Sequence, residues 1–387
     1  MLIVDTETLA AFCDRQRGAP YVTVDTEFMR DRTYWPQLCL VQLAGPEEAV
    51  AVDALAPGID LGPMLELMAD ERVLKVFHAA RQDIEIFWNL AGRVPVPLFD
   101  SQVAAMVCGF GEAASYETLA SKLAGARLDK SSRYTDWSHR PLTERQLAYA
   151  IDDVVHLRTV YEKLAAKLEK NGRATWLDEE MAVLTDPATY RIEPRETWRR
   201  FRLRSGNPKI LALQREVAAW REVAAQQRNI PRNRILRDES ILEIAAHAPR
   251  SVADLGRTRG LGKNFAEGRF GGEILAAVER ALALPEEERP QMPQRRDSPA
   301  GIGPLVDLLR VLLKLRAEEN EVAQRLVADA DDLEAIAADD EAPVQPLHGW
   351  RREIFGNDAL DLKHGRLALT AQGKRIKLVR LGDCAPG

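Results

Sequence analysis

Tyr21-Val22-Thr23-Val24-Asp25-Thr26-Glu27-Phe28 is the stretch that decides how this chain reads. Its aromatic and β-branched start marks residues 21–25 as a strand. Asp25 and Glu27 are two apart, so on a strand both project from one face. A second group is Tyr149-Ala150-Ile151-Asp152-Asp153. Tyr149 and Asp153 are four apart, which on a helix puts them on one face, one turn apart. Asp83 ends the run Val76-Phe77-His78-Ala79-Ala80-Arg81-Gln82-Asp83. Oxygen ligands converging on one point ask for hard cations such as Mg²⁺ or Mn²⁺. Two such ions about 4 Å apart clamp the attacking and leaving oxygens of a phosphodiester.

Each group alone has a plainer explanation. An Asp-x-Glu pair at a strand end is usually a solvated turn. Asp83 suits a helix N-terminus through the macrodipole, and Asp153 suits an exposed helix face. Order and spacing together tell against these readings. The acid pair comes first, His-x-x-x-Gln-Asp follows, and Tyr-x-x-x-Asp comes last. The series resembles the three exonuclease motifs of the DEDDy superfamily, and within it the ribonuclease D family. By that resemblance Asp25 and Glu27 form the first motif, Asp83 the second, Tyr149 and Asp153 the third. The stretch 128–143 and the run Phe99-Asp100-Ser101-Gln102 are similar to the family too. The similarity spans essentially the whole chain and weakens toward its end.

The resemblance implies a metal-dependent 3′→5′ exoribonuclease releasing nucleoside 5′-monophosphates. It implies Mg²⁺ or Mn²⁺, two ions, held by Asp25, Glu27, Asp83 and Asp153. Metal-bound hydroxide would attack, and a second ion would stabilise the leaving 3′-oxygen. Tyr149 would orient the attacking water, since a phenol with a pKa near ~10 is a poor base at neutral pH. The implied substrate is RNA with a single-stranded 3′ end, above all transfer-RNA precursors with 3′ trailers. Two rivals stand beside this reading: a nucleic-acid-binding scaffold with an inert nuclease fold, and a DNA-directed 3′→5′ exonuclease.

At 387 residues the chain fits two or three domains. Its 46% apolar share is ordinary for a globular protein, and its net charge of −6 argues against a generic nucleic-acid binder. The average hides asymmetry. Residues 191–237 carry thirteen Lys/Arg against four Asp/Glu, while residues 316–341 carry two against ten. The basic stretch reads as a local phosphate-binding surface or as helix-surface ion pairs. The four cysteines show no Cys-x-x-Cys spacing, which suggests neither a zinc site nor a redox dithiol and fits a reducing cytoplasm. No signal peptide or membrane-length apolar run is evident.

Strands are expected at 21–25, 38–44, 49–53 and 73–77, the first three as an antiparallel meander, with a fifth ending at Phe99. Helices are expected near 62–68, 80–90, 102–107 and 116–123. Thr143, with Gln146 as capping-box partner, opens a helix running to about Lys170. The pattern gives a mixed sheet flanked by helices, matching the ribonuclease H-like α/β fold that the resemblance implies. Domains are assigned as exonuclease 1–190, a helical domain 205–284 and a second helical domain 302–380. Linkers are read at 187–194 and 285–304. The middle domain resembles the helicase-and-RNase-D C-terminal (HRDC) module, and the last a diverged second copy, so both are expected to be all-α.

His78 suits a general acid or a metal ligand, but at the end of an apolar strand a packed, hydrogen-bonded histidine is favoured. Trp137 can stack on a base or plug a core edge. Lys130, Arg133 and Arg140 beside it can hold phosphates or form a solvated loop face. Gly260-Leu261-Gly262-Lys263 lacks the lead and the Ser/Thr of a phosphate loop, so no nucleotide cofactor is expected. Asp100 is read as structural.

Overall fold

The β-branched run around Asp25 forms the central strand of a six-stranded sheet. The computed structural model describes residues 1–129, 132, 135–202, 205–292 and 299–381. The strands are β1 (Leu2–Ile3), β2 (Tyr21–Met29), β3 (Gln37–Ala44), β4 (Ala49–Asp53), β5 (Leu74–Phe77) and β6 (Leu98–Asp100). Their order is β1-β4-β3-β2-β5-β6. β2, β3 and β4 pair antiparallel as the expected meander, and β1, β5 and β6 add parallel pairings. Around the sheet lie α1 (Thr6–Gln16), α2 (Gly62–Ala69), α3 (Arg81–Ala91), α4 (Ser101–Val107), α5 (Tyr116–Leu119) and α6 (Glu144–Lys170). β1 and α1 were not anticipated from the sequence.

Alternation along β2 sorts its side chains between two cores. Val22 and Val24 pack with Leu9, Phe12, Ile84 and Phe87 from α1 and α3. Tyr21 lies with Leu157 and Val160 of α6, and Thr23 Oγ1 donates to the Val154 carbonyl at 2.8 Å. Asp25 and Glu27 continue this second face, so both carboxylates point toward α6. α6 starts where its capping box predicts. Gln146 N donates to Thr143 Oγ1 at 3.2 Å, and Thr143 N donates back to Gln146 Oε1 at 3.0 Å.

The stretch 187–194 is no loose linker. Pro187–Thr189 and Pro194–Arg200 form 3₁₀ turns; Tyr190 is buried in the core around α3, and Trp198 in the core of the next domain. Beyond α7 (Asp178–Thr185), the long α8 (Pro208–Arg228) and the helices Asp238–His247, Val252–Arg257 and Gly271–Ala283 make the middle domain. The last domain begins with helix Gly303–Glu319 and is helical as expected up to Lys363. It then closes on an antiparallel hairpin, β7 (Leu367–Gln372) and β8 (Arg375–Arg380), which corrects the all-α expectation. Gly373 at φ 62° opens the two-residue turn, a conformation that glycine adopts without strain.

Both C-terminal domains dock on the nuclease domain. Trp350 stacks on Trp176 with ring centroids 4.2 Å apart, and Arg351 is buried against Glu179 and Glu180. On the other side, Tyr34 from the β2–β3 connection reaches Glu222, which is fully buried and also binds Arg232 Nε at 2.6 Å. Truncating a buried charge partner is costly because the remaining charge is left uncompensated. Glu222→Ala is therefore expected to destabilise the protein by about 3–5 kcal/mol, and Tyr34→Phe by about 1 kcal/mol. Urea unfolding of the two variants checks the order. A larger loss for Tyr34→Phe contradicts it.

Candidate active site

Three of the expected site residues meet at one point. Carboxylate oxygens of Asp25, Glu27 and Asp153 lie within 4.8 Å of one another. Two come from one face of β2 and one from the facing side of α6. Asp83 stands beside this group and not inside it. It sits in the first turn of α3, which packs on the opposite face of the sheet, and it accepts a hydrogen bond from Thr26 Oγ1. Thr26 points to that opposite face because it lies between Asp25 and Glu27.

The turn that launches α3 is held by Asp100. Ala79 is left-handed at φ 58°, unusual for a residue with a Cβ. Asp100 accepts from the backbone N–H groups of Ala79 at 3.0 Å and Ala80 at 2.8 Å. It also caps α4 through Gln102 N at 2.8 Å. Asp100 is structural, as expected, and through this turn it sets where Asp83 stands. His78 is hydrogen-bonded, with Nδ1 2.9 Å from Ser101 Oγ, and burial lowers its pKa toward the neutral ring.

Burial and mutual repulsion dominate the electrostatics. Burial pushes Asp25 up to about 6. Glu27 is pushed up to about 10, first by burial and then by Asp25, Asp153 and Asp83. Asp83 is well above the usual carboxylate range through burial and Asp25. The Tyr149 phenol is raised too, by burial first and then by the neighbouring carboxylates, and it hydrogen-bonds Asp153. Without a cation the cleft must hold protons. An all-oxygen donor set that repels itself fits a hard divalent ion.

The site opens into a cleft of about 440 Å³. Besides Asp25, Tyr149 and Asp153 it is lined by His78, Gln102 and Tyr116. Tyr116 was missed from the sequence. It donates to the Asp152 carbonyl at 3.1 Å and packs on His78 with ring centroids 5.6 Å apart. A lone tyrosine after a Ser-cap carries no signal of this. Trp137 and Arg140 are corrections. Trp137 is only 2% exposed, packed under Tyr149, and offers no face to a base. Arg140 binds both Asp53 oxygens, at 2.6 and 2.7 Å, and the carbonyls of Cys39, Trp137 and His139. Its guanidinium is consumed inside the fold. Lys130 and Arg133 lie outside the described residues.

Comparison with known proteins agrees with this geometry. Residues 1–169 match the 3′-5′ exonuclease family and residues 210–278 the HRDC domain. Ribonuclease D of Granulibacter bethesdensis is 53% identical over 382 residues, covering 98% of this chain and 97% of that protein. Ribonuclease D of Nitrobacter hamburgensis is 53% identical over 375 residues, covering 97% and 98%. The chain belongs to the ribonuclease D family. The crystal structure of Escherichia coli RNase D superposes with a TM-score of 0.81 at 30% identity, covering 94% of this chain and 98% of that one. The chain is therefore a 3′→5′ exoribonuclease, with a mixed-sheet nuclease domain followed by a largely helical C-terminal region. No described helix is long and apolar enough to cross a membrane.

A carboxyl whose pKa is raised by folding contributes stability only below its unfolded value, and that contribution is lost as pH rises toward the folded one. Glu27→Gln should therefore raise the Tm of the metal-free protein at pH 8 and leave it unchanged near pH 4. Thermal melts with a chelator present check this, and an equal shift at both pH values contradicts it. Arg140→Ala leaves Asp53 buried and unpaired, so about 3–5 kcal/mol of stability is expected to be lost. The salt dependence of RNA binding should not change, whereas an arginine bound to phosphate would alter it on removal.

Proposed function

We propose that this exoribonuclease works with two divalent ions, Mg²⁺ or Mn²⁺, held by Asp25, Glu27, Asp83 and Asp153. The observation that carries this is the meeting of three carboxylates within 4.8 Å, with Asp83 beside them. Bound ions would supply a metal hydroxide at neutral pH and charge stabilisation for the leaving 3′-oxygen. The chain's own groups do the positioning. β2 fixes Asp25 and Glu27 rigidly, and Thr26 orients Asp83. Tyr149 keeps its proton because burial and the carboxylates raise its pKa. Its hydroxyl, hydrogen-bonded to Asp153, can orient an attacking water through its oxygen, but it cannot take a proton from one.

The substrate we propose is structured RNA with a single-stranded 3′ end, above all transfer-RNA precursors. The Escherichia coli relative is described as an exoribonuclease involved in structured RNA processing. In the basic segment, Arg195, Arg199, Arg200, Arg215, Arg221, Arg228 and Arg232 are in ion pairs with nearby Glu or Asp side chains. Arg191, Arg202, Lys209, Arg234 and Arg237 are exposed and outside any ion pair among the described residues. These are the cations available to phosphates. No ion pair among the described residues links this segment to the acidic stretch 316–341, so the two do not neutralise one another.

Digestion of matched 5′-labelled RNA and DNA oligomers with Mg²⁺ or Mn²⁺ tests the reading. Asp25→Asn and Asp153→Asn should abolish hydrolysis, and Tyr149→Phe should lower kcat about 10²-fold at unchanged metal affinity. Near-normal turnover in either Asn variant removes that residue from the site. Faster digestion of DNA than of RNA overturns the substrate class. For the grip on RNA, the double variant Arg234→Ala/Arg237→Ala is sharper than truncation, which would strip the partners of Tyr34 and Trp176. Removing one phosphate-binding cation makes the slope of log affinity against log salt shallower by about 0.7–0.9. Filter binding of the double variant should show a slope shallower by about 1.5, and an unchanged slope assigns those arginines elsewhere.

A further inference from the structure

One buried polar side chain next to the site has no hydrogen-bond partner among the described residues. Gln42 lies on β3 directly opposite Asp25 on β2. Opposed residues of an antiparallel pair share a face, with Cβ atoms about 4.5–5.5 Å apart. On its other flank Gln42 is opposite Ala51 of β4, and Leu40 and Ala44, the next β3 residues on the same face, are apolar and fully buried. α6 packs across this face. Gln42 is itself 0% exposed, and neither its Oε1 nor its Nε2 has a hydrogen-bond partner among the described residues.

An unpartnered buried polar group costs about 1–3 kcal/mol. Leucine or methionine would fill the same space without that cost. A glutamine here therefore points to a partner that it meets in another state of the site. The charged group in register beside it is the Asp25 carboxylate; Thr23, the next β2 residue on that face, donates its hydroxyl proton toward the Ala44 and Val154 carbonyls and makes no hydrogen bond to Gln42. Amide Nε2 is a donor that an ionised carboxylate accepts readily. A ligating carboxylate needs such a donor on its free oxygen to hold one orientation toward the ion.

We propose that Gln42 is a positioning residue, whose Nε2 donates to the Asp25 carboxylate once a divalent ion is bound, fixing which oxygen faces the ion. This rests on the reading of Asp25 as a metal ligand. Without the ion the amide is expected to be a net cost to stability, since it has no partner among the described residues.

The test is a Mn²⁺ titration followed by thermal shift and by calorimetry, on the full chain, for wild type, Gln42→Leu and Gln42→Met. Removing a hydrogen-bonding partner of a metal ligand typically weakens metal affinity about 10–100-fold. Both variants should need about 10–100-fold more Mn²⁺ for half-maximal stabilisation. Their metal-free Tm should equal or exceed that of wild type, because an unsatisfied amide has gone. At saturating Mn²⁺, kcat should recover most of the way, so the loss appears in the metal requirement. A purely structural glutamine gives the opposite pattern, a lower metal-free Tm with an unchanged Mn²⁺ midpoint, and that result overturns the proposal. Two variants are used so that poor packing of one does not decide the matter. Absence of any Mn²⁺-dependent shift in wild type defeats the metal-ligand reading itself. A normal wild-type shift with equal midpoints in the variants defeats the role of Gln42 alone.

Discussion

Repulsion among half-buried and buried carboxylates is the constraint on which the rest of this structure depends. Asp25, Glu27 and Asp153 are held close enough to share a cation, with Asp83 adding its charge from behind the sheet. Such a cluster is unfavourable in itself, since each charge raises the pKa of the next in a site shielded from water. Regular structure holds it together. β2 cannot turn Asp25 away without turning Val24 out of the core, and α6 is tied to β2 by the bond from Thr23 Oγ1 to the Val154 carbonyl. Asp100 ties the turn before α3, and Arg140 ties the loop before α6 to Asp53. The fold accepts the repulsion, and a divalent ion can reverse its sign.

What was legible in the sequence was what acts over a few residues. Alternation in β2 put Asp25 and Glu27 on one face, helical spacing paired Tyr149 with Asp153, and the capping box set the start of α6. What was hidden depended on distant partners. Arg140 looked like a phosphate ligand because its partner, Asp53, lies 87 residues earlier. Trp137 looked available because nothing local shows that Leu40, Ala51 and Ala150 close around it. β1 has two residues and no periodicity, and it exists only by pairing with β4. The β7–β8 hairpin did carry a local signal, Gly373-Lys374 between alternating strands, which the helical expectation obscured. The Asp83 motif was readable, but its approach from the opposite face of the sheet was not.

The charge asymmetry of the chain was visible, yet its meaning was split. Over half the cations of the basic segment neutralise local acids and stabilise the middle domain. The few left exposed are the cations proposed above for RNA phosphates. Domain docking follows the same logic: Tyr34 and Trp176 are nuclease-domain residues whose burial is completed by residues far along the chain. The nuclease domain is therefore finished by its C-terminal partners, and the linker between them is packed at Tyr190 and Trp198.

The most direct measurement of the central claim is the number of protons released when Mn²⁺ binds. Calorimetric titration near pH 7.5 in buffers of different ionisation enthalpy gives that number. A site that holds a proton on Glu27 for want of a cation must release it as the ion enters. The expected result is release of about one proton per protein at pH 7.5, becoming smaller as the pH is raised toward about 10, where Glu27 is half ionised before the ion binds. Binding of Mn²⁺ with no proton release at pH 7.5 would contradict the claim, because the carboxylates would then coexist as anions without the ion.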